Sequence, residues 1–168
     1  MNNSASLFKK ELDMEKIFQN ILCCPKCRGK LSTVNSRILC PVCGADILHE
    51  DRFIDFDQLN PKLHLDLETI IQEGTEHAGT IVKDVPIDWR VDAVLRDIKK
   101  AAKGSVCLEI GGADGPMTPT IEKLFDTTLT LDYSKEFLKR IQEKTQRTFC
   151  LYSNAHFLPI QNNVVDMI

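Results

Sequence analysis

The chain has 168 residues, of which 43% are hydrophobic and 27% charged, and its formal net charge is −3. This length suits one domain, or a small module followed by part of a larger one, and the composition is that of a soluble globular protein. The slightly acidic balance excludes a global positive field that recruits nucleic acid, and no run approaches the roughly 18 uncharged apolar residues of a membrane span. We therefore expect a cytoplasmic protein with no membrane partner.

Apolar residues recur at helical spacing near the amino end, which predicts a helix over residues 6–20. Its apolar stripe is expected to pack against the module that follows. Charges are spread through the same stretch, so the pattern is not that of a secretory signal. In a reducing compartment, closely paired cysteines favour a metal site over disulfides.

Two C-P-x-C motifs follow this helix, and their four cysteines are Cys24, Cys27, Cys40 and Cys43. The two residues inside each pair let a tight turn aim both sulfurs at one point, and four thiolates at tetrahedral corners suit Zn²⁺. Gly29 and Gly44 are expected to supply the permissive dihedrals of the two turns. Because protein ligands fill all four positions, we expect a structural zinc rather than a catalytic one.

The other cysteines are interpreted as small buried side chains. Cys23 precedes the first motif, whereas Cys107 and Cys150 lie in apolar strand patterns. His49 is the alternative fourth ligand of the metal. Short strands are predicted at residues 37–39 and 53–56, inside a zinc ribbon that ends at residue 56.

Beyond the ribbon, residues 57–87 have the mixed polarity of a connector, and residues 88–102 predict a helix that ends at Gly104. Strand and helix patterns then alternate. Strands are predicted at SVCLEI, TTLTLD, RTFCLY and VVDMI, and helices at PTIEKLF and SKEFLKRIQEKT. This alternation indicates a parallel sheet with crossover helices, whose ligands lie beyond the carboxyl ends of the strands.

The loop after the first of these strands is rich in small residues and reads VCLEIGGADG over 106–115. A dinucleotide fingerprint starting at Gly111 would place its third glycine at Pro116, and no Gly-Lys-Ser/Thr follows to make a P-loop. What stands here is E-x-G-x-A-x-G, from Glu109 to Gly115. It resembles motif I of the class I S-adenosylmethionine-dependent methyltransferases.

The resemblance extends to two further segments. LTLDYSKEFL, at 129–138, is similar to the second family motif, in which the acidic residue accepts hydrogen bonds from the cofactor ribose. SNAHFLPIQNNVVDMI, at 153–168, is similar to a third, with Asn154 where the family has Asp beside the adenine. The resemblance implies a cofactor site for S-adenosyl-L-methionine made of Glu109, Gly111, Gly112, Ala113, Gly115, Asp132, Tyr133, Asn154 and Ala155.

Each of these residues also has a purely structural interpretation, which the sequence leaves open. The loop glycines can serve only a turn, and Glu109 can bind the loop backbone instead of the cofactor. Asp132 can be a charge favoured at a helix N-terminus, and Asn154 can cap a loop.

The cysteine segment has a resemblance of its own, carried by FQNILCCPKCRGKL and ILCPVCGADILHEDRFIDF. It is similar to small zinc-ribbon proteins that partner methyltransferases and to ribbons fused ahead of methyltransferase domains. The fold implied is α/β, an incomplete Rossmann-like class I methyltransferase sheet preceded by a small zinc ribbon. The domains expected are 1–56, the helix and ribbon, 57–87, the connector, and 88–168, the first half of a methyltransferase domain.

In this family, residues that place the methyl acceptor follow the fourth strand, inside which Ile168 falls. We therefore expect a methyltransferase fragment that is inactive by itself, with an acceptor that is RNA, protein or a small molecule. Its strand edge at Val164 and Val165 is expected to promote self-association. The alternative is an inactive zinc-ribbon binding or scaffold module with a vestigial cofactor site.

Overall fold

The structure is a computed structural model, and it describes residues 14–34, 37–59 and 89–168. Residues 14–20 lie in helix α1. The later helices are α2 (Trp89–Ala101), α3 (Thr118–Ile121) and α4 (Lys135–Lys144). The strands are β1 (Ser32–Val34), β2 (Arg37–Leu39), β3 (Asp46–Glu50), β4 (Phe53–Asp55), β5 (Val106–Ile110), β6 (Thr127–Asp132) and β7 (Phe149–Tyr152).

All seven strands belong to one mixed sheet in the order β1-β2-β3-β4-β7-β6-β5. Strands β1 to β4 pair antiparallel, in the manner of a ribbon. Strand β4 then pairs in parallel with β7, placing Ile54 beside Leu151, and β7, β6 and β5 continue in parallel. The expected segments 1–56 and 88–168 are therefore joined through a shared sheet, which the sequence motifs do not indicate.

The parallel strands are buried along most of their length because both of their faces are covered. On one face, Leu129 and Leu151 lie in a core that also contains Phe18 of α1 and Ile47 of the ribbon. On the other face, α4 packs Leu138 and Ile141 against Cys150 and Tyr152. Helices α2 and α3 cover Cys107 on that same face. The apolar stripe of α1 thus packs against the ribbon, as expected, and also against the parallel strands.

Local sequence signals place most of these elements correctly. Helix α2 and strands β2, β4, β5, β6 and β7 lie where the patterns predict them. Helix α4 begins after Ser134, whose hydroxyl oxygen accepts a hydrogen bond from the Phe137 amide at 3.3 Å, the geometry of an N-cap. Residues 6–13 of the first predicted helix and most of the connector lie outside the described residues.

The fourth strand predicted at VVDMI is wrong in extent. The structure has a single bridge there, between Met167 and Cys107 of β5. The Asp166 carboxylate accepts hydrogen bonds from the backbone amides of Ser105 and Val106 at 2.7 and 2.8 Å, so a side chain takes donors that a strand partner would use. Residues 164 and 165 are half-buried outside any strand, so the expected exposed strand edge is not present at those positions.

The helices in the described part of the chain are all too short or too polar to cross a membrane.

Candidate functional site

Two turns of the ribbon bring the sulfurs of the C-P-x-C motifs together. The Sγ atoms of Cys24 and Cys43 lie 3.7 Å apart, those of Cys27 and Cys40 lie 3.4 Å apart, and all four fall within 4.8 Å of one another. Sulfurs at the corners of a tetrahedron with Zn–S bonds of about 2.3 Å are separated by about 3.8 Å. The four cysteines are therefore positioned to hold a metal ion.

The two turns share one hydrogen-bond pattern. The amide of Cys24 donates to the Gly29 carbonyl and that of Arg28 to the Cys24 carbonyl, at 2.9 and 2.8 Å. In the second turn, Cys40 donates to Ala45 and Gly44 to Cys40, both at 2.8 Å. The residue after the second cysteine takes a positive φ in each case, 62° at Arg28 and 72° at Gly44.

The expected role of Gly29 is therefore wrong, since Arg28 has the left-handed dihedral. Gly29 is required for space. A β-carbon there would lie 2.7 Å from a methyl carbon of Val42 and 3.1 Å from the Cys40 sulfur. Gly44 has the predicted positive φ and open space around it.

The surroundings of the sulfurs differ in polarity. A hydrogen bond from the Ala45 amide lowers the pKa of Cys43 to about 7, whereas burial raises the pKa of Cys24 to about 12. A bound divalent cation favours the thiolate form of every ligand. Cys23 is buried, as predicted, and His49 packs edge-on against Phe18 with ring centroids 6.0 Å apart, outside the cysteine cluster.

The glycine-rich loop leaves β5 through three residues in the left-handed region. Gly111, Ala113 and Gly115 have φ values of 72°, 48° and 77°. A β-carbon at Gly111 would meet no atom within 4 Å, so this position faces open space. At Gly115 a β-carbon would lie 2.8 Å from the Ile141 side chain, and at Gly112 it would strike the Thr130 hydroxyl. Gly111 thus forms the open side of the loop, and the other two glycines its packed side.

Glu109 lies beneath this loop and is 8% exposed. Its Oε2 accepts a hydrogen bond from the Thr118 hydroxyl at 2.6 Å, and its Oε1 is buried without a hydrogen-bond partner among the described residues. Burial raises the pKa of Glu109, and the nearby Asp132 charge acts in the same direction. Glu109 therefore ties β5 to the first turn of α3. Sequence reasoning missed Thr118, whose only signal is its place beside Pro119.

Asp132 closes β6 and joins two loops. Its carboxylate accepts hydrogen bonds from the amides of Ala113 at 3.1 Å and Ser134 at 2.9 Å. Burial raises its pKa, although these amides oppose the shift. The aspartate therefore contacts the glycine-rich loop directly. The contact is possible because β5 and β6 are parallel neighbours, so their carboxyl ends lie side by side.

Tyr133 extends this site toward the ribbon. Its hydroxyl donates to the Asp57 carboxylate at 2.6 Å, and its ring lies 5.2 Å from that of Tyr152. Lys135 donates to Asp55 at 2.8 Å and lies 4.6 Å from the centre of the Tyr152 ring. Asp55 and Asp57 lie at the carboxyl end of the parallel strands because β4 pairs in parallel with β7. Sequence reasoning missed both because that pairing has no local signal.

Asn154 follows β7 at the same carboxyl end of the sheet. The amide of Ser153 donates to the Asp132 carbonyl at 3.3 Å, which brings this loop beside the other two. The Asn154 side-chain oxygen accepts from the His156 amide at 2.9 Å and so caps the short turn Ala155–Phe157. Ala155 is exposed. The structure thus brings the predicted cofactor residues together at the carboxyl end of the parallel strands. Asn154 lies there too, and its side chain caps the turn that follows it.

An open groove of about 990 Å³ lies at the opposite end of the sheet, near the amino ends of the parallel strands. Val106, Thr127 and Phe149 line it from the sheet, and Ile17 and Ile21 line it from the N-terminal segment. It shares no residue with the glycine-rich loop.

The sequence matches no protein-family model and no curated protein.

Proposed function

We propose that this chain provides the S-adenosylmethionine-binding half of a class I methyltransferase and that Zn²⁺ in the cysteine cluster stabilises its fold. One observation carries the proposal. The parallel strands β5, β6 and β7 have their carboxyl ends side by side, and a segment that resembles a family motif lies at each of these ends. The hydrogen bond from Ala113 to Asp132 joins the first two of these segments.

The residues fit the cofactor in two respects. Open space at Gly111 leaves room for a ligand to approach the loop backbone, which any side chain would reduce. Asp132 receives one backbone hydrogen bond on each carboxylate oxygen. Since each oxygen carries two lone pairs, both can still accept from a pair of ribose hydroxyls.

The cofactor, when bound, supplies an electrophilic methyl group on a sulfonium, which passes to the acceptor in one displacement. The protein's contribution is orientation and exclusion of water. Asp132 and Tyr133 would hold the nucleoside. The backbone at Gly111 would border the methionine end, while Glu109 holds Thr118 at the start of α3. The acceptor, whether RNA, protein or a small molecule, is assigned no residues in this proposal.

The soft donor set and tetrahedral spacing favour Zn²⁺ in the ribbon. With four protein ligands, such an ion has no open position for substrate, so its proposed role is to stabilise a module whose own core is small.

Binding of S-adenosylmethionine to the zinc-loaded chain tests the cofactor proposal, and saturation-transfer NMR detects it even when weak. Strand β6 offers a matched pair of aspartates. Asp126 precedes its amino end, and Asp132 is its last residue at the carboxyl end. Asp132→Ala should weaken binding by about 1.5–3 kcal/mol, or roughly 10- to 150-fold, because it removes hydrogen bonds to a charged group. Asp126→Ala should leave binding unchanged.

Equal effects of the two substitutions would contradict the assignment of Asp132. No transfer signal from S-adenosylmethionine to the wild-type chain would favour the alternative, a zinc-ribbon scaffold in which Asp132 and Asn154 serve only the loops that they cap.

A further inference from the structure

The first cysteine turn is joined to the segment that follows β7. Leu22 forms an antiparallel bridge with Ile160. The Cys23 amide donates to the Pro159 carbonyl at 2.9 Å, and the Gln161 amide donates to the Ile21 carbonyl at 2.8 Å. Residues 21–23 therefore act as a short strand partner for residues 159–161, and Cys24, a member of the cysteine cluster, comes next in the chain.

Arg28 strengthens this junction from inside the turn. Its guanidinium donates to the carbonyls of Leu158 at 2.6 Å and Ile160 at 2.5 Å, and to the Asn162 side chain at 3.3 Å. Arg28 lies between Cys27 and Gly29 with a φ of 62°, a conformation that costs a non-glycine residue free energy. The closed turn imposes this conformation and so determines where the guanidinium lies.

The residues that Arg28 contacts belong to the same loop as Asn154. Only the short turn Ala155–Phe157 separates Asn154 from Leu158. The amides of His156 and Phe157 both donate to Asn154, at 2.9 Å. The loop is thus tied at its start to the end of β6, through the Ser153 amide, and at its end to the cysteine turn.

We infer that metal binding by the four cysteines positions the loop 153–161, with Arg28 as the positioning residue. A bound ion would stabilise the cysteine turn that backbone hydrogen bonds form, the turn directs the guanidinium, and the guanidinium donates to the two carbonyls. The metal thus supports one wall of the candidate cofactor site without touching it. This last step rests on the proposed function, whereas the coupling between the metal and the loop does not.

Hydrogen–deuterium exchange of the full chain tests the coupling without any cofactor. Removal of Zn²⁺ with a chelator should accelerate exchange in peptides covering 153–161 by roughly tenfold or more, since the hydrogen bonds of this loop then open more often. Arg28→Ala should produce a similar acceleration while the variant still carries its zinc, measured by metal analysis. Peptides covering β6 should exchange as in the wild type in that variant.

Lys26→Ala is the matched control, because Lys26 is an exposed cation in the same turn. It should leave exchange at 153–161 unchanged. The inference fails if zinc-loaded Arg28→Ala protects the loop as well as the wild type does, or if Lys26→Ala accelerates exchange equally. Calorimetry with S-adenosylmethionine separates the two proposals. A loop that responds to Arg28 in a chain that binds no cofactor overturns the cofactor site alone, and a chain that binds equally with and without Arg28 overturns the link between loop and site.

Discussion

Glu122 is a buried carboxylate that holds the chain between α4 and β7. It accepts hydrogen bonds from the amides of Gln146, Arg147 and Thr148 at 3.2, 2.8 and 2.7 Å, and from the Thr148 hydroxyl at 2.7 Å. Burial alone raises the pKa of Glu122, but these donors outweigh burial and lower it overall. The charged form is therefore the one that the fold stabilises.

Glu122→Gln should lower the free energy of unfolding by about 1.5–3 kcal/mol near neutral pH, because an amide group replaces one of two accepting oxygens. The folded-state pKa lies below the unfolded value of about 4.3. The contribution of Glu122 is thus present above that pH and is lost as the pH falls through the folded-state pKa. Urea unfolding of both proteins at several pH values should show their difference shrinking in acid.

Glu143→Gln is the control for Glu122, since Glu143 is an exposed glutamate on α4. It should follow the wild type at every pH, and comparison at equal pH cancels any common loss of metal. A difference between Glu122→Gln and the wild type that stays constant down to strong acid would contradict the assigned charge.

At the scale of elements, Arg52 connects the ribbon to α4. It lies between β3 and β4 and donates to the carbonyls of Thr148, Thr145 and Gln142 at 2.8, 3.0 and 3.3 Å. The last two carbonyls are at the C-terminal end of α4, where a cation is favoured by the helix dipole. The Arg52 side chain is only 12% exposed, so water replaces these contacts poorly.

Arg52→Ala should lower the free energy of unfolding by about 2–3 kcal/mol, because it leaves several part-buried carbonyls without donors. Arg37→Ala is the matched variant in the same ribbon. Arg37 pairs with Asp46 at the surface, and its side chain is 65% exposed. Such pairs contribute little, so this variant should unfold at the wild-type denaturant concentration. Equal destabilisation by the two variants would refute the role of Arg52 as a link.

Elements with a strong local signal could be predicted, whereas links between distant segments could not. Helix α4 has a serine N-cap and an apolar face, and β5 to β7 are short runs rich in apolar and threonine residues between turns. The cysteine spacing likewise located the cluster of four cysteines that is positioned to hold a metal ion. Strands β1 and β3 were missed because few of their positions are buried, none in β1 and one of five in β3, which leaves little apolar pattern to read. Arg28, Arg52 and Asp57 were missed because their partners lie far away in sequence, where no spacing rule applies.

At the scale of the whole molecule, the shared sheet makes the ribbon and the parallel strands one structural unit. We predict about one equivalent of Zn²⁺ per chain and a single unfolding transition in the zinc-loaded protein. Chelation should lower the midpoint of that transition, because an ion bound only to the folded state stabilises it. Metal analysis measures the zinc content. Circular dichroism, recorded with and without chelator during unfolding, measures the number of transitions and the shift of the midpoint.

Two separate transitions would mean that segments 1–56 and 88–168 unfold independently, as their motifs suggest when taken alone. An unchanged midpoint after complete removal of the metal would show that the cysteine cluster contributes nothing to the stability of the folded chain.

The pairing of β4 with β7 also imposes an order in time. The two strands are about a hundred residues apart in sequence, and contacts between such distant segments form late. During synthesis the four cysteines of the ribbon emerge well before β7 does, so they are all available before the sheet can be completed. Until β7 arrives, the outer edge of β4 has unpaired backbone groups that another chain can bind. The time taken to translate the intervening residues is therefore the shortest period for which the edge of β4 stays open to association with neighbouring chains.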